Sequence, residues 1–402
     1  MGRDFLPPRI GMIAALGIVL LAASVAFLVL GLAGCDTTLR NQIEQYVEGC
    51  RQIQAEGIVY VDGSNGDDAN PGTRDLPKKT IQNAIDLAAA LIDTGEVRVT
   101  EGTYVIHETL VVREGISILG GFRASDWTRD IDAYPTVIQG IAVETVIKPE
   151  RGVTAVTVID GFTIMAASLA YSACIWCEYS SPTIQRNILD ASPGSTDTIG
   201  ILNSSSSPVI LSNTIDAGDG TATAWGIANN GSPAKIWSNV IYGTGSNGKY
   251  KGIFNGSSDA VIQNNTIRCG LSAGDVGIYN SVSNCKIDNN ILFSAGSSCG
   301  IDEVGSTALP VQVNNNDFHD CSPFYRYDSG SCANVTDLES YLTTNTVPAA
   351  GNLEPDPQFV DITDWHLQGG SLLRGAGLDL SSSFERDRDW ALRTTWSIGA
   401  YE

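Results

Sequence analysis

From position 226 the chain reads Gly226-Ile227-Ala228, Lys235-Ile236-Trp237 and Asn239-Val240-Ile241, and then, one period on, Gly252-Ile253-Phe254, Val261-Ile262-Gln263 and Asn265-Thr266-Ile267. Each period holds three short β-prone pieces separated by Gly, Ser, Asn and Asp turns. An asparagine with an apolar residue two positions on recurs at Asn187, Asn213, Asn239, Asn265, Asn290 and Asn316, with steps of 26, 26, 26, 25 and 26 residues. A second marker keeps the same beat, Gly200-Ile201, Gly226-Ile227, Gly252-Ile253 and Gly277-Ile278, with Gly300-Ile301 following. Two markers in phase over five periods define a repeat architecture. Helical solenoids are excluded, because the units carry no apolar stretch at i, i+3, i+4 and are rich in β-branched residues and turn formers. The period therefore predicts an all-β fold, one coil per repeat, in which each strand pairs with its equivalent in the next coil and the inward Ile and Val build one continuous core.

The Asn column has a physical reason. A bend between two strands needs a left-handed backbone residue, which Asn tolerates, and its amide can bond its equivalent one coil away. The expectation is an asparagine ladder through Asn187, Asn213, Asn239, Asn265, Asn290 and Asn316. The ends of a solenoid need covering. Thr80 as N-cap, an apolar face of Ile81, Ala84, Ile85, Ala88 and Leu91, and Gly95 beyond describe an amphipathic helix capping the first coil.

The 402 residues are 43% hydrophobic and 17% charged, a globular composition, and carry a formal charge of −21. That charge excludes duplex nucleic acid as a partner and requires a metal or a local basic patch for any polyanionic ligand. The near-uncharged run from Ile10 to Leu32 ends in Leu32-Ala33-Gly34-Cys35. It engages the membrane, either as a cleaved signal or as an uncleaved anchor, and both readings export the rest. Residues 1–34 then form the signal, 35–57 a membrane tether, and 58–402 a single domain: cap and first coils over 58–125, regular coils over 126–320, C-terminal coils and cap over 321–402. In an oxidising compartment disulfides are permitted, and Cys321 and Cys332, flanking a short loop, are the expected pair. Zinc has no matching ligand spacing.

Three segments carry a family likeness: Tyr60-Val61-Asp62 through Asn65-Gly66-Asp67-Asp68 and Thr80-Ile81-Gln82; the coil repeat itself; and Asp356-Pro357 with Trp365-His366-Leu367 and the terminal Ile398-Gly399-Ala400-Tyr401-Glu402. On these the chain resembles the exported right-handed parallel β-helix proteins of the pectate-lyase-like superfamily, and Leu32-Ala33-Gly34-Cys35 resembles a bacterial lipobox, with Cys35 as the lipidated residue. The resemblance implies a right-handed parallel β-helix whose ligands lie beside the strand that opens each coil, here the Gly-Ile strand. If its isoleucines point inward, the next residue points outward, giving the column Trp176, Leu202, Ala228, Phe254, Tyr279 and Asp302. Trp176, Phe254 and Tyr279 either form a sugar-binding platform or pack beneath a neighbouring loop. The following column, Asn203, Asn229, Asn255, Asn280 and Glu303, either meets sugar hydroxyls or forms a further ladder.

A lyase of uronic-acid polysaccharide would need a basic residue near the proton it abstracts, and Ca²⁺ or cations at the carboxylate. Lys249 and Lys251 with Asp302 and Glu303 are the nearest candidates, spread over coils. The clustered Asp pairs of a polygalacturonase-like hydrolase are absent. Asp62, Asp67 and Asp68 either bind Ca²⁺ or hold a tight turn by Asx hydrogen bonds. His366 reads as a structural hydrogen-bonding residue. The sequence thus implies a membrane-anchored, exported β-helix protein binding polysaccharide or another cell-envelope component without catalysis, with a polysaccharide lyase or glycoside hydrolase as the alternative.

Overall fold

A computed structural model describes residues 37–192, 194, 196–243, 250–294, 296–305 and 309–402. The signal segment, Cys35 and Lys249 lie outside them. Among the described residues no helix is long and apolar enough to cross a membrane.

The chain winds into a parallel β-solenoid, with three sheets of eleven, nine and nine strands among the described residues. Strands in a sheet follow one another by coil, so Ile201 pairs with Ile227, Ile227 with Ile253 and Ile253 with Ile278. Ile210, Ile236 and Ile262 in the first sheet, Ile215, Ile241 and Ile267 in the second, and Ile201, Ile227 and Ile253 in the third all point inward and are fully buried. The Gly of each Gly-Ile marker lies where coils approach closely: a Cβ on Gly226 would stand 2.5 Å from the carbonyl oxygen of Gly252.

The asparagine ladder runs as expected between the first and second sheets. The side-chain amide of Asn213 donates to Asn239 Oδ1 at 3.0 Å, Asn239 to Asn265 at 3.1 Å and Asn265 to Asn290 at 3.0 Å. It also extends further, to Asn352 beyond Asn316. The left-handed residue, however, is not the ladder asparagine. It is the residue before it: Ser212, Ser238, Asn264, Asn289 and Asn315 have φ of 57°, 54°, 54°, 56° and 51°. That residue makes the bend and turns its side chain outward, leaving the following Asn to face the stack.

The column Asn203, Asn229, Asn255, Asn280 is a second internal ladder, fully buried, with amide-to-oxygen distances of 2.8 Å at each of its first three steps. A serine ladder, unanticipated, lines the turn after the third sheet: the backbone N–H of Ser206 donates to Ser232 Oγ at 3.0 Å, and that of Ser232 to Ser258 Oγ at 2.8 Å.

Where a tether is expected, Thr37–Glu56 form helix α1, with Gly49 and Ile53 buried. Helix α2, Ile81–Leu91, covers the first coil through Ile81, Ala84, Ile85 and Ala88. Its N-cap Thr80 makes no side-chain capping bond; its hydroxyl donates to Asp68 instead, at 3.0 Å. Gly95 opens a strand rather than closing the helix. Helix α3, Val335–Thr344, buries Leu338 and Leu342 at the other end, its N-cap Asn334 accepting from the Asp337 N–H at 2.8 Å. After it, residues 351–402 double back along the outside of the second sheet. Asn264 holds the carbonyl of Ser397 at 2.8 Å, Ser212 that of Asp387 at 2.8 Å, and Arg388 reaches Thr214.

Candidate functional site

The outward column of the third sheet has the expected register, Trp176, Leu202, Ala228, Phe254, Tyr279 and Asp302. Its rings are not laid out as a platform. Trp225 stacks on Phe254 with centroids 4.6 Å apart and planes 2° from parallel, and Phe254 stacks on Tyr279 at 5.4 Å and 10°. Both faces of Phe254 are therefore covered by neighbouring rings, and only edges remain for a ligand. Lys251 Nζ stands 4.9 Å from the centre of the Tyr279 ring, and Lys148 Nζ 3.7 Å from that of Trp176. Sugar stacking needs an open ring face. Phe254 and Tyr279 of this column, with Trp225 from the neighbouring register position, thus form an outer aromatic stack across three successive coils, and Trp176 stands apart from it against Lys148.

The candidate base and acids do not converge. Lys251 is on the outer face, Asp302 is held by Arg326 with Nε 2.9 Å from Oδ1, and Glu303 ends the second ladder, accepting from the Asn280 amide at 2.6 Å. Burial pushes the Glu303 carboxyl up to about 8, against the Asn280 hydrogen bond and with a contribution from Asp302. At neutral pH it is a mostly protonated member of an amide column.

The acidic stretch near the start is a set of turns. Asp62 Oδ1 accepts the N–H groups of Ser64 and Asn65 at 2.9 and 3.0 Å, Asp67 that of Ala69 at 2.9 Å, and Asp68 that of Thr80 at 2.9 Å. No group of three or more His, Cys, Asp or Glu placed to hold a metal occurs among the described residues. The carboxylates proposed for Ca²⁺ are committed to backbone donors. Cys321 and Cys332 are not joined, and all eight described cysteines are free thiols. Cys321 turns inward, its Sγ 3.7 Å from that of Cys269, away from the Cys332 side of the loop.

What the repeat did not reveal is a cleft of about 590 Å³ between the second sheet and the returning tail. Arg268, Phe293 and His319 face it from three successive coils. The opposite wall is a small antiparallel hairpin over 358–368, closed by Val360 N–H to His366 O and Gln368 N–H to Gln358 O, both 2.9 Å. It contributes Gln358, Phe359, Asp361, Ile362, Trp365 and Gln368. Phe293 meets Phe359 and Trp365 edge-on, at 5.0 and 4.9 Å, and Trp365 rests edge-on against Tyr242 at 5.4 Å. Arg268 donates to the Gly243 carbonyl, while its buried Nε has no partner among the described residues. Beside His319 on the same strand, both oxygens of Asp317 are buried without partners among the described residues, and burial, then the charges of Asp356 and Glu354, raise its pKa well above the ordinary value. The cleft thus combines ring surfaces with planar polar side chains, a set able to bury an apolar face and bond a polar rim at once.

Residues 64–319 match the family described as "Protein of unknown function (DUF1565)", and the chain belongs to that family. Comparison with curated protein sequences finds no match. Among solved structures it is similar to the Dettilon tailspike protein gp208, at 13% identity and a TM-score of 0.36, covering 76% of this chain and 63% of that one. The chain thus spans somewhat under two thirds of the tailspike's length. Similar too are the A-module of the Azotobacter vinelandii mannuronan C-5 epimerase AlgE6, at 13%, 0.26 and 69% of this chain against 95% of that one, and the Eubacterium ramulus GH136 lacto-N-biosidase, at 12%, 0.24, and 72% against 69%.

Proposed function

For this member of the DUF1565 family, we propose a carbohydrate-binding role, exercised in the cleft between the second sheet and the tail by an exported protein held to a membrane through lipid on Cys35. The observation that carries the reading is the make-up of that cleft. A pyranose presents an apolar face and a rim of hydroxyls. Phe293 and Phe359, both half-buried and backed by the buried Trp365, offer apolar ring surface for the first, and Gln358, Gln368, Asp361 and Arg268 offer paired donors or acceptors for the second. The excess of negative charge over the whole chain favours neutral sugars over polyanions.

The test is co-sedimentation of the full chain, in detergent, with a panel of neutral and uronic-acid polysaccharides plus Ca²⁺, with reducing ends and unsaturated products recorded together. The expected result is retention by a neutral polysaccharide without new ends, lost on Phe359→Ala. Retention by none, or the appearance of unsaturated ends, overturns it. Replacing Cys35 by Ser is expected to move the protein from the membrane to the soluble fraction; continued retention would favour an uncleaved anchor.

A further inference from the structure

The hairpin that forms the outer wall of the cleft is tied down at one point by a histidine between two carboxylates. Trp365 faces the second sheet, and His366, next in the chain, faces the opposite way. Its Nδ1 lies 2.5 Å from Asp364 Oδ1 and its Nε2 lies 2.7 Å from Asp389 Oδ2, on the loop that follows. The Tyr401 ring packs on the imidazole with centroids 3.9 Å apart.

A neutral imidazole carries one N–H and one lone pair, so it can donate to only one of two carboxylates and must turn a lone pair toward the other. The imidazolium donates to both. We infer that His366 is a positioning residue whose protonated ring clasps the 358–368 hairpin to the 387–402 segment and thereby sets the wall of the cleft, so that the wall loosens when the proton leaves. The inference concerns the wall itself and does not depend on which ligand the cleft takes.

The surroundings support it. Asp364 on the hairpin and Asp389 on the following loop face the ring directly, and Tyr401 comes from the C-terminal end with Arg388 and Asp387 near it. Burial alone would lower the pKa of the ring; the hydrogen bonds and charges of Asp389 and Asp364 together outweigh it and leave it raised above 6.5. A raised folded value means that the clasp's contribution is complete below the unfolded pKa and is lost as pH rises through the folded one. The His366 carbonyl accepts from Val360 N–H, one residue from Phe359, so the state of the clasp is read at the cleft.

The experiment is backbone hydrogen exchange on the full chain, following the amides of Val360 and Gln368 from about pH 6 to about pH 9 as protection factors corrected for intrinsic rate. The expected result is a fall of about tenfold, the scale of one charge-assisted hydrogen bond, and no such fall in His366→Gln, which keeps a single donor. Asp389→Asn, at a surface position, serves as the second variant: it is expected to lower the His366 titration midpoint measured by NMR and to flatten the same profile. Unchanged protection in the wild type across this range, or an equal fall in both variants, overturns the proposal.

Discussion

Asn264 and Asn265 are adjacent, both buried and both hydrogen-bonded, yet they belong to different parts of the molecule. Asn265 faces inward and bonds Asn290 in the next coil and the carbonyls of Ile236 and Gln263, a pattern shared by Asn213, Asn239 and Asn290. Asn264 turns outward at the bend and grips the carbonyls of Ser397 and Gly399, more than a hundred residues away. The coils hold themselves together through a rule that each repeat restates. The tail is held by one-off contacts, and it is the tail that builds the cleft. Regularity and chemistry are thus segregated, the first in residues 183–316 and the second where 351–402 lies against them.

The largest effect should come from the ladder. Asn239→Ala strands the Asn213 N–H and takes one donor each from the carbonyls of Ile210 and Trp237 and from the Asn265 oxygen. A loss of about 2–3 kcal/mol is expected, and an unchanged denaturation midpoint would break the distinction. Next is Glu303, where the ladder ends in an acid instead of an amide. Because its folded pKa is raised to about 8, the folded state holds a proton that the unfolded state releases. Stability should therefore fall as pH rises from the unfolded value of about 4.3 through the folded one. Glu303→Gln should remove that slope, as read from denaturant midpoints against pH.

Smaller still is Asn264→Gly, which keeps the left-handed bend and deletes the grip on the tail together with the acceptor of one Asn289 amide hydrogen, whose other bond to the Leu378 carbonyl remains. About 1 kcal/mol is expected, with hydrogen exchange rising over 395–400 while the ladder amides stay protected. Smallest in stability is Gln358→Ala, an exposed position at which a change within about 0.5 kcal/mol is expected alongside weakened polysaccharide retention. If ligand binding followed the ladder variant but not this one, the cleft would lose its claim to be the binding site.

How much of this was legible follows the same division. The ladder through Asn187 and Asn316 and the inward Ile columns could be read because coil stacking turns a spacing of 25 or 26 residues into a contact, and the cap residues Ile81, Ala84, Ile85 and Ala88 because a helix brings positions three and four apart onto one face. The serine ladder at Ser206, Ser232, Ser258 and Ser283 carried the same spacing and was legible in principle. The stacking of Trp225 on Phe254 was not, because ring orientation depends on side-chain torsions rather than on register. The cleft was beyond reach for another reason: Arg268 and Gln368 meet only because a non-repeating tail reverses direction, and no period encodes that path. The expected Cys321–Cys332 pair failed similarly, since nearness in sequence did not show that Cys321 points into the coil interior toward Cys269.

The returning tail also bears on how the molecule comes apart. A solenoid joined only through nearest neighbours frays from its ends, each coil peeling away at little more than its own local cost. Here Arg388, Ser397 and Gly399 bind coils lying well before the last one. A pull on the C-terminus would load Thr214 and Asn264 in shear before it could unzip the coil at Asn316. The terminal coils should consequently open together with the middle of the stack, giving one cooperative transition where the repeat alone would allow a gradual series.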